Sequence, residues 1–246
     1  MEEAGTKRFQ GKVQRLAGDV EAVGSDEALY RSLAEALGYS ANRQPFRALA
    51  EAIPFSLLAS LSVYDAEQLL LSAAGLASAD GLLTAYIEGP VLKPGELRTF
   101  RVRPGNSPTT RLRGLARLVT THRRGLASAM EDVEPINLWQ LFVVDAGQVL
   151  VGKGRADDIA LNVALPYLAS HRGIDGASAL RTLRAPADNR WVNALRKRLE
   201  SAGLIIKPYR ALQQQGLLEL SLRFCRYDHC EACPSHAELS RDGPEP

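Results

Sequence analysis

Three cysteines lie within nine residues near the end of the chain, at Cys225, Cys230 and Cys233. The last two form a Cys-x2-Cys knuckle, which puts two thiolates on one side of a tight turn, the usual half-site for tetrahedral zinc. Cys225 adds a third thiolate and His236, after two further residues, offers a fourth ligand. The candidate metal set is therefore Cys225, Cys230, Cys233 and His236, with zinc as the expected ion. His229 fits less well, because it adjoins Cys230 and neighbouring residues seldom reach one ion together. The Cys-x4-Cys-x2-Cys spacing also matches the first three ligands of plant-type ferredoxins. The chain has no fourth cysteine, so an iron–sulfur cluster would need His or outside ligation. The competing reading is three free thiols in a reducing compartment, since an odd, small number does not make a disulfide framework.

The second chemical feature is arginine. Eight arginines and no acids fall in residues 98–124, giving that stretch a charge of +8. Residues 181–210 carry +6, and with a net charge of +2 for the whole chain the remainder is −12. Such segregation is the electrostatic footprint expected of a polyanion-binding surface. The alternative is that these cations are solvated, or pair with the acidic helices of the same chain. The strongest helix signal in the strip is Ser107-Pro108, a capping residue followed by proline at the first helical position. At about 100° per residue, Leu112, Leu115, Ala116, Leu118 and Val119 share an apolar sector. Arg113, Arg117 and Arg124 cluster on the opposite side, where arginine forks suit phosphate oxygens. Arg111 points into the apolar sector, where a cation needs a partner unless it snorkels around the helix start. Upstream, Arg103-Pro104-Gly105-Asn106-Ser107-Pro108 is either an ordinary turn or an anion-binding nest. The expected nucleic-acid contacts are Arg103, Asn106, Arg111, Arg113, Arg117 and Arg124, with Arg196, Lys197 and Arg198 from the second basic segment.

No catalytic constellation stands out. Gly152-Lys153-Gly154-Arg155 begins like a phosphate loop, but no Gly-Lys-Ser/Thr follows, so it is read as a connecting turn. His122 and His171 have no partner at a catalytic spacing, and Asp157 and Asp158 read as helix-start charges.

The elements that position these residues read as mainly α. Residues 1–24 are a polar, flexible lead-in. Residues 25–224 form a mainly helical domain with one small β-hairpin, and residues 225–246 a Cys-rich knuckle and loose tail. Within the domain, a helix capped by Ser25 or Asp26 runs to Gly38, a second runs from Arg43 to Ile53 before Pro54, and a third from Ala66 to Ala77. Leu97–Val102 suggests a short strand. Trp139–Asp145 and Gln148–Val151 flank Ala146-Gly147 as the hairpin. A helix over Asp157–Leu165 should end or kink at Pro166. Another is expected over Ala187–Ala202, before Gly203. The N-terminus is charged and lacks the apolar core of a secretory signal. The longest apolar run, Ile53–Tyr64, is too short to span a bilayer. A cytoplasmic protein with no membrane partner is expected.

The residues also carry a resemblance. Leu29-Tyr30, the run from Ala36 to Asn42, Pro45-Phe46, Leu49-Ala50, the run from Phe100 to Pro108 with Arg111, Asn162, Pro166, Gln214-Gln215-Gly216 and the three cysteines are spread over residues 29–233. Together they resemble the C-terminal half of a bacterial family, domain of unknown function 2851. The resemblance implies a shared constellation of residues rather than an activity. Longer members look to have an additional N-terminal region, rich in His and Asp and somewhat nuclease-like, which would make this chain an accessory half, a short form or a fragment. The expected function is a nucleic-acid-associated binding or accessory module with a structural metal site. The alternatives are an enzyme subunit of nuclease or hydrolase type whose catalytic region lies elsewhere, and a structural protein-interaction domain with a protein partner.

Overall fold

The computed structural model describes residues 1–78, 85–86, 89–100, 104–201, 203–229 and 231–233. Arg103, Cys230, His236 and the expected loose tail from residue 234 lie outside the described residues, as do residues 101–102 of the expected strand. Residues 97–100 form no strand. The chain divides into two compact units, one of Met1–Gln14 with Arg172–Pro246 and one of Arg15–His171. Among the described residues no helix is long and apolar enough to cross a membrane.

The lead-in is instead helix α1, Glu2–Val23. Its apolar residues are few, but Phe9, Val13, Leu16 and Val20 recur at helical spacing, and Phe9 and Leu16 are buried.

The Arg15–His171 unit contains α2 (Ser25–Leu37), α3 (Arg43–Ala52), α4 (Phe55–Ser60), α5 (Val63–Ala73) and α6 (Pro108–Thr121). α2 packs on α3 and α5 on α6. Leu33, Leu37, Phe46, Leu49, Leu70, Leu112 and Leu115 fill the core they enclose. Asp26 does not cap α2, whose cap residue is Gly24; its Oδ1 accepts from the Ala127 N–H at 2.8 Å and holds the loop after α6. α6 begins where expected, with Ser107 Oγ accepting from the Thr110 N–H at 3.2 Å and Pro108 in the first turn.

Strands β1 (Val144–Asp145) and β2 (Val149–Val151) form the antiparallel hairpin around Ala146-Gly147, where Gly147 takes φ 77°. The first arm is shorter than expected because Pro135–Phe142 coils into a 3-10 helix. Gly114 brings α6 against β2, since a Cβ there would stand 2.8 Å from Val151 Cγ2. α7 (Lys153–Ile159) follows and leads through a π turn, Ala160–Ala164, into α8 (Leu165–Arg172). Pro166 therefore does not end the helix, which runs on to Arg172. Its missing N–H is absorbed by the wider turn just before it, in which the Leu165 N–H reaches the Ala160 carbonyl.

The other unit holds α9 (Gly176–Thr182), α10 (Arg190–Ser201) and α11 (Ala211–Arg223). Gly5 and Gly216 let α1 and α11 nearly touch. A Cβ on Gly5 would lie 2.3 Å from the Leu212 carbonyl oxygen, and one on Gly216 2.0 Å from that of Met1.

The α2–α3 pair is locked by charge. Glu35 is buried and ion-paired with Arg43, Arg15 and Arg47. Burial alone would push its carboxyl up. The hydrogen bond and charge of Arg43, with the charges of Arg15 and Arg47, outweigh that and hold it below the ordinary 4.5. A carboxyl lowered in the folded state adds stability that is present above its unfolded value and is lost as pH falls through the folded one. Urea midpoints should therefore fall on acidification below about pH 4.5. Glu35→Gln should be less stable at pH 7 and show a shallower fall in that window. Parallel curves for the two proteins would remove Glu35 from the acid response.

Candidate functional site

The turn between α2 and α3 sets up the site. Gly38 ends α2 in ordinary helical geometry, φ −67°, so its lack of a side chain serves space rather than backbone freedom. A Cβ there would stand 2.3 Å from the Asn42 carbonyl oxygen. The left-handed residue is Tyr39, φ 53°. For a bulky side chain that conformation costs on the order of 1–2 kcal/mol and calls for a compensating contact. Asn42 is buried and grips the incoming chain like a strand partner, its Oδ1 accepting from the Arg98 N–H at 2.7 Å and its Nδ2 donating to the Arg98 carbonyl at 3.1 Å. That clamp fixes the approach to the 3-10 turn Pro104–Asn106.

Tyr39, Asn106, Arg111 and Arg155 converge there. Arg111 is only 6% exposed. Its Nη1 donates to the Leu150 carbonyl of β2 at 2.6 Å. Its Nη2 donates to Tyr39 Oη at 2.7 Å and to Asn106 Oδ1 at 2.6 Å. Tyr39 Oη in turn donates to Asn106 Oδ1 at 2.8 Å. Every acceptor is neutral, and among the described residues no carboxylate pairs with Arg111. The Arg155 guanidinium lies over the Tyr39 ring, 3.3 Å from its centre, and Arg111 is 5.1 Å from the same centre. This stack is the contact that offsets the strained Tyr39 backbone. Asp158 is the acid at Arg155, 3.4 Å from its Nη1.

Two guanidinium groups thus share one desolvated place. Burial pushes the pKa of Arg111 down and Arg155 pushes it the same way, against the opposing influence of Tyr39. Burial likewise pushes Arg155 down, against Asp158 and Tyr39. Both groups keep their protons at neutral pH, because arginine starts far above it. Their hydrogen-bonding capacity is not used up. Arg111 Nε and Arg155 Nε are buried without an acceptor. Among the described residues nothing accepts from Arg155 Nη2 or Asn106 Nδ2 either. The Nε–Nη2 edge of an arginine is the side that takes two oxygens of a phosphate or carboxylate at once. Cationic donors with unspent capacity in a desolvated place suit an oxyanion.

The other expected residues are placed differently. Arg113 and Arg117 do not stand free in solvent. Both donate to the buried Glu67 of α5, at 2.9 Å and 2.7 Å. A buried carboxylate on the facing helix requires that neutralisation, which Arg113 and Arg117 of α6 supply. Arg124 is exposed beside an open depression of about 950 Å3 lined also by Asp26, Glu27, Arg31 and Arg123. In the other unit Arg196 pairs with Asp188 and Glu200, Arg198 with Asp228, and Lys197 is exposed. Cys225 and Cys233 are half-buried and pack on the same apolar cluster of Val192, Leu195, Leu217, Leu218 and Leu220. Among the described residues no three metal-ligating side chains come together. Tyr39 and Arg155 were not expected as site residues, although Arg155 closes the Gly-Lys-Gly-Arg segment and Tyr39 lies in the run from Ala36 to Asn42.

The sequence profile of one family, described as protein of unknown function (DUF2851), matches residues 1–149. The chain belongs to that family. The match covers the N-terminal part of the chain, including Tyr39, Asn106 and Arg111, and stops before Arg155, Asn162, Pro166, Gln214–Gly216 and the cysteines. The family's description assigns no activity. No curated protein and no solved structure matches the chain.

Arg111→Lys tests whether the planar fork is required. A lysine ammonium cannot reach acceptors on a strand, a turn and a 3-10 element together. Leaving one buried acceptor unpaired should cost about 1–3 kcal/mol in urea unfolding. A variant as stable as the wild type would mean that the fork holds nothing together.

Proposed function

We propose that the protein is a nucleic-acid-associated binding module, and that the Arg111–Arg155 pair is its phosphate-contacting centre. The observation that carries this reading is a buried guanidinium satisfied only by neutral acceptors beside a second one whose Nε–Nη2 edge has no acceptor. Buried cations normally meet a carboxylate, as Arg31 does with Glu27 and Arg47 with Asp19 elsewhere in the same unit. The +8 segment around this centre favours a polyanion over a small isolated anion. Glu67 already satisfies Arg113 and Arg117, so in this reading they are secondary contacts.

The Cys-rich end is proposed as a structural metal site, with zinc held by Cys225, Cys230, Cys233 and His236. The ligand spacing supports it, as does the packing of Cys225 and Cys233 on one apolar cluster. The thiolates would staple the end of α11, and no reaction is assigned to the ion. Native mass spectrometry of anaerobically purified protein should find one zinc, lost in Cys230→Ser. Metal-free protein, or protein with metal retained in that variant, contradicts the site.

Binding is tested by fluorescence anisotropy with short labelled oligonucleotides at low salt. Affinity should fall with salt along a log–log slope of about −1 to −2, as expected for one or two phosphates at roughly 0.7–0.9 each. Arg155→Met keeps length and apolar bulk over Tyr39 but removes the charge. It should weaken binding about tenfold, as loss of a charged hydrogen-bonded contact does, while leaving the fold intact by circular dichroism. Arg113→Ala should change affinity less. Absence of binding to single and double strands at about 10 µM protein and low salt, where even non-specific binding tightens, would defeat the reading.

A further inference from the structure

The Met1–Gln14 and Arg172–Pro246 unit carries a second feature that the phosphate centre does not use. At the start of α10, Arg190 lies 4.7 Å from the centre of the Trp191 ring. Arg226 stands 5.3 Å from the same ring and 5.4 Å from that of Tyr227. Tyr227 and His229 then face each other at 5.8 Å with 32° between their planes. The contacts thus run from Arg190 through Trp191 and Arg226 to Tyr227 and His229.

The ladder is held from behind. Trp191 and Val192 N–H groups donate to Asn189 Oδ1 at 3.0 and 3.1 Å, and Ser221 of α11 donates to the Trp191 carbonyl at 3.2 Å. The turn Cys225–Tyr227 is tied to α10 by Arg198, which donates to the Cys225 carbonyl at 3.1 Å and pairs with Asp228 at 2.9 Å. Phe224 and Cys225 pack beneath it on the apolar cluster. The backbone is anchored while the side chains stay accessible, with Tyr227 57% exposed and Arg190, Arg226 and His229 also exposed. Among the described residues Arg190 and Arg226 pair with no carboxylate. Neighbouring Arg198 and Arg223 do pair, with Asp228 and Glu219.

We infer that this Arg190–Trp191–Arg226–Tyr227–His229 ladder is a stacking platform for single-stranded nucleic acid. Unpaired bases would lie on the exposed faces of Tyr227 and His229, and adjacent phosphates would meet Arg190, Arg226 and Lys197. Exposed rings beside cations that meet no carboxylate among the described residues match a strand that presents a π face and a negative charge at each nucleotide. A duplex hides its base faces and offers the platform only phosphates. The inference rests on the nucleic-acid reading above, but it adds strandedness and uses residues independent of Arg111 and Arg155.

The test uses the full chain and labelled oligothymidylate of about 12 nucleotides, within the usual site-size range, beside a duplex of equal length. Tyr227→Ala should weaken single-strand binding by about fivefold to a hundredfold, the range seen when a stacking ring is removed. Tyr227→Phe should keep wild-type affinity, and duplex affinity should not move in either variant. The salt slope should stay unchanged in Tyr227→Ala and drop by about 0.7 in Arg226→Ala. Urea midpoints check that the variants remain folded. Tyr227→Ala binding single strands like the wild type would overturn the platform, even if Arg155→Met abolished binding and so upheld the phosphate centre. Loss in Tyr227→Ala with a silent Arg155→Met would support the platform and overturn the centre. Binding of neither strand would overturn both.

Discussion

A buried guanidinium among neutral acceptors is the constraint on which the Arg15–His171 unit turns. Arg111 reaches the β2 carbonyl of Leu150, the Tyr39 hydroxyl on the α2–α3 turn and the Asn106 amide oxygen on the 3-10 turn. Three segments far apart in sequence are tied through one planar group. Lysine could not do this, and a hydrophobic residue would leave the acceptors without donors. The surrounding features serve the same geometry. Gly114 lets α6 close on β2, Gly38 lets the α2–α3 turn fold tightly, and Asn42 delivers the chain that carries Asn106. Tyr39 tolerates a left-handed backbone because its ring is covered by Arg155 and its hydroxyl is fixed from both sides.

Elsewhere the same unit neutralises its charges. Glu35 gathers Arg15, Arg43 and Arg47, Glu67 gathers Arg113 and Arg117, and Glu27 holds Arg31. On the basic strip this accounts for Arg113 and Arg117, two of its eight arginines. Against that background the Arg111–Arg155 pair is a buried departure, since Asp158 answers only one of its two charges. The π turn that follows Asp158 is a second irregularity at the same place, of a kind common near functional sites.

Part of this was legible in the sequence. Ser107-Pro108 marks the start of α6, and the helical angle turns Arg111 inward, because a cap and an amphipathic stripe are local signals. The same angle sends Arg113 and Arg117 outward but cannot reveal Glu67, which arrives from another helix. Tyr39 and Arg155 meet across more than a hundred residues, and their stack leaves no periodic trace. A left-handed tyrosine has no signature, and Gly38 draws attention to the wrong neighbour. α1 was hidden by charge, since its apolar positions are separated by Lys, Arg, Gln and Gly. The wider turn before Pro166 depends on packing rather than composition.

The central claim is that the Nε–Nη2 edge of Arg155, left without an acceptor beside Arg111, takes up an oxyanion. Soaking crystals with tungstate, a heavy tetrahedral stand-in for phosphate, tests this without assuming any nucleic acid. The account predicts an anomalous peak within hydrogen-bonding distance of Arg155 Nε or Nη2, displaced by added phosphate and absent from Arg155→Met crystals. Tungstate bound only on exposed arginines such as Arg124, with the Tyr39 stack left empty, would contradict it.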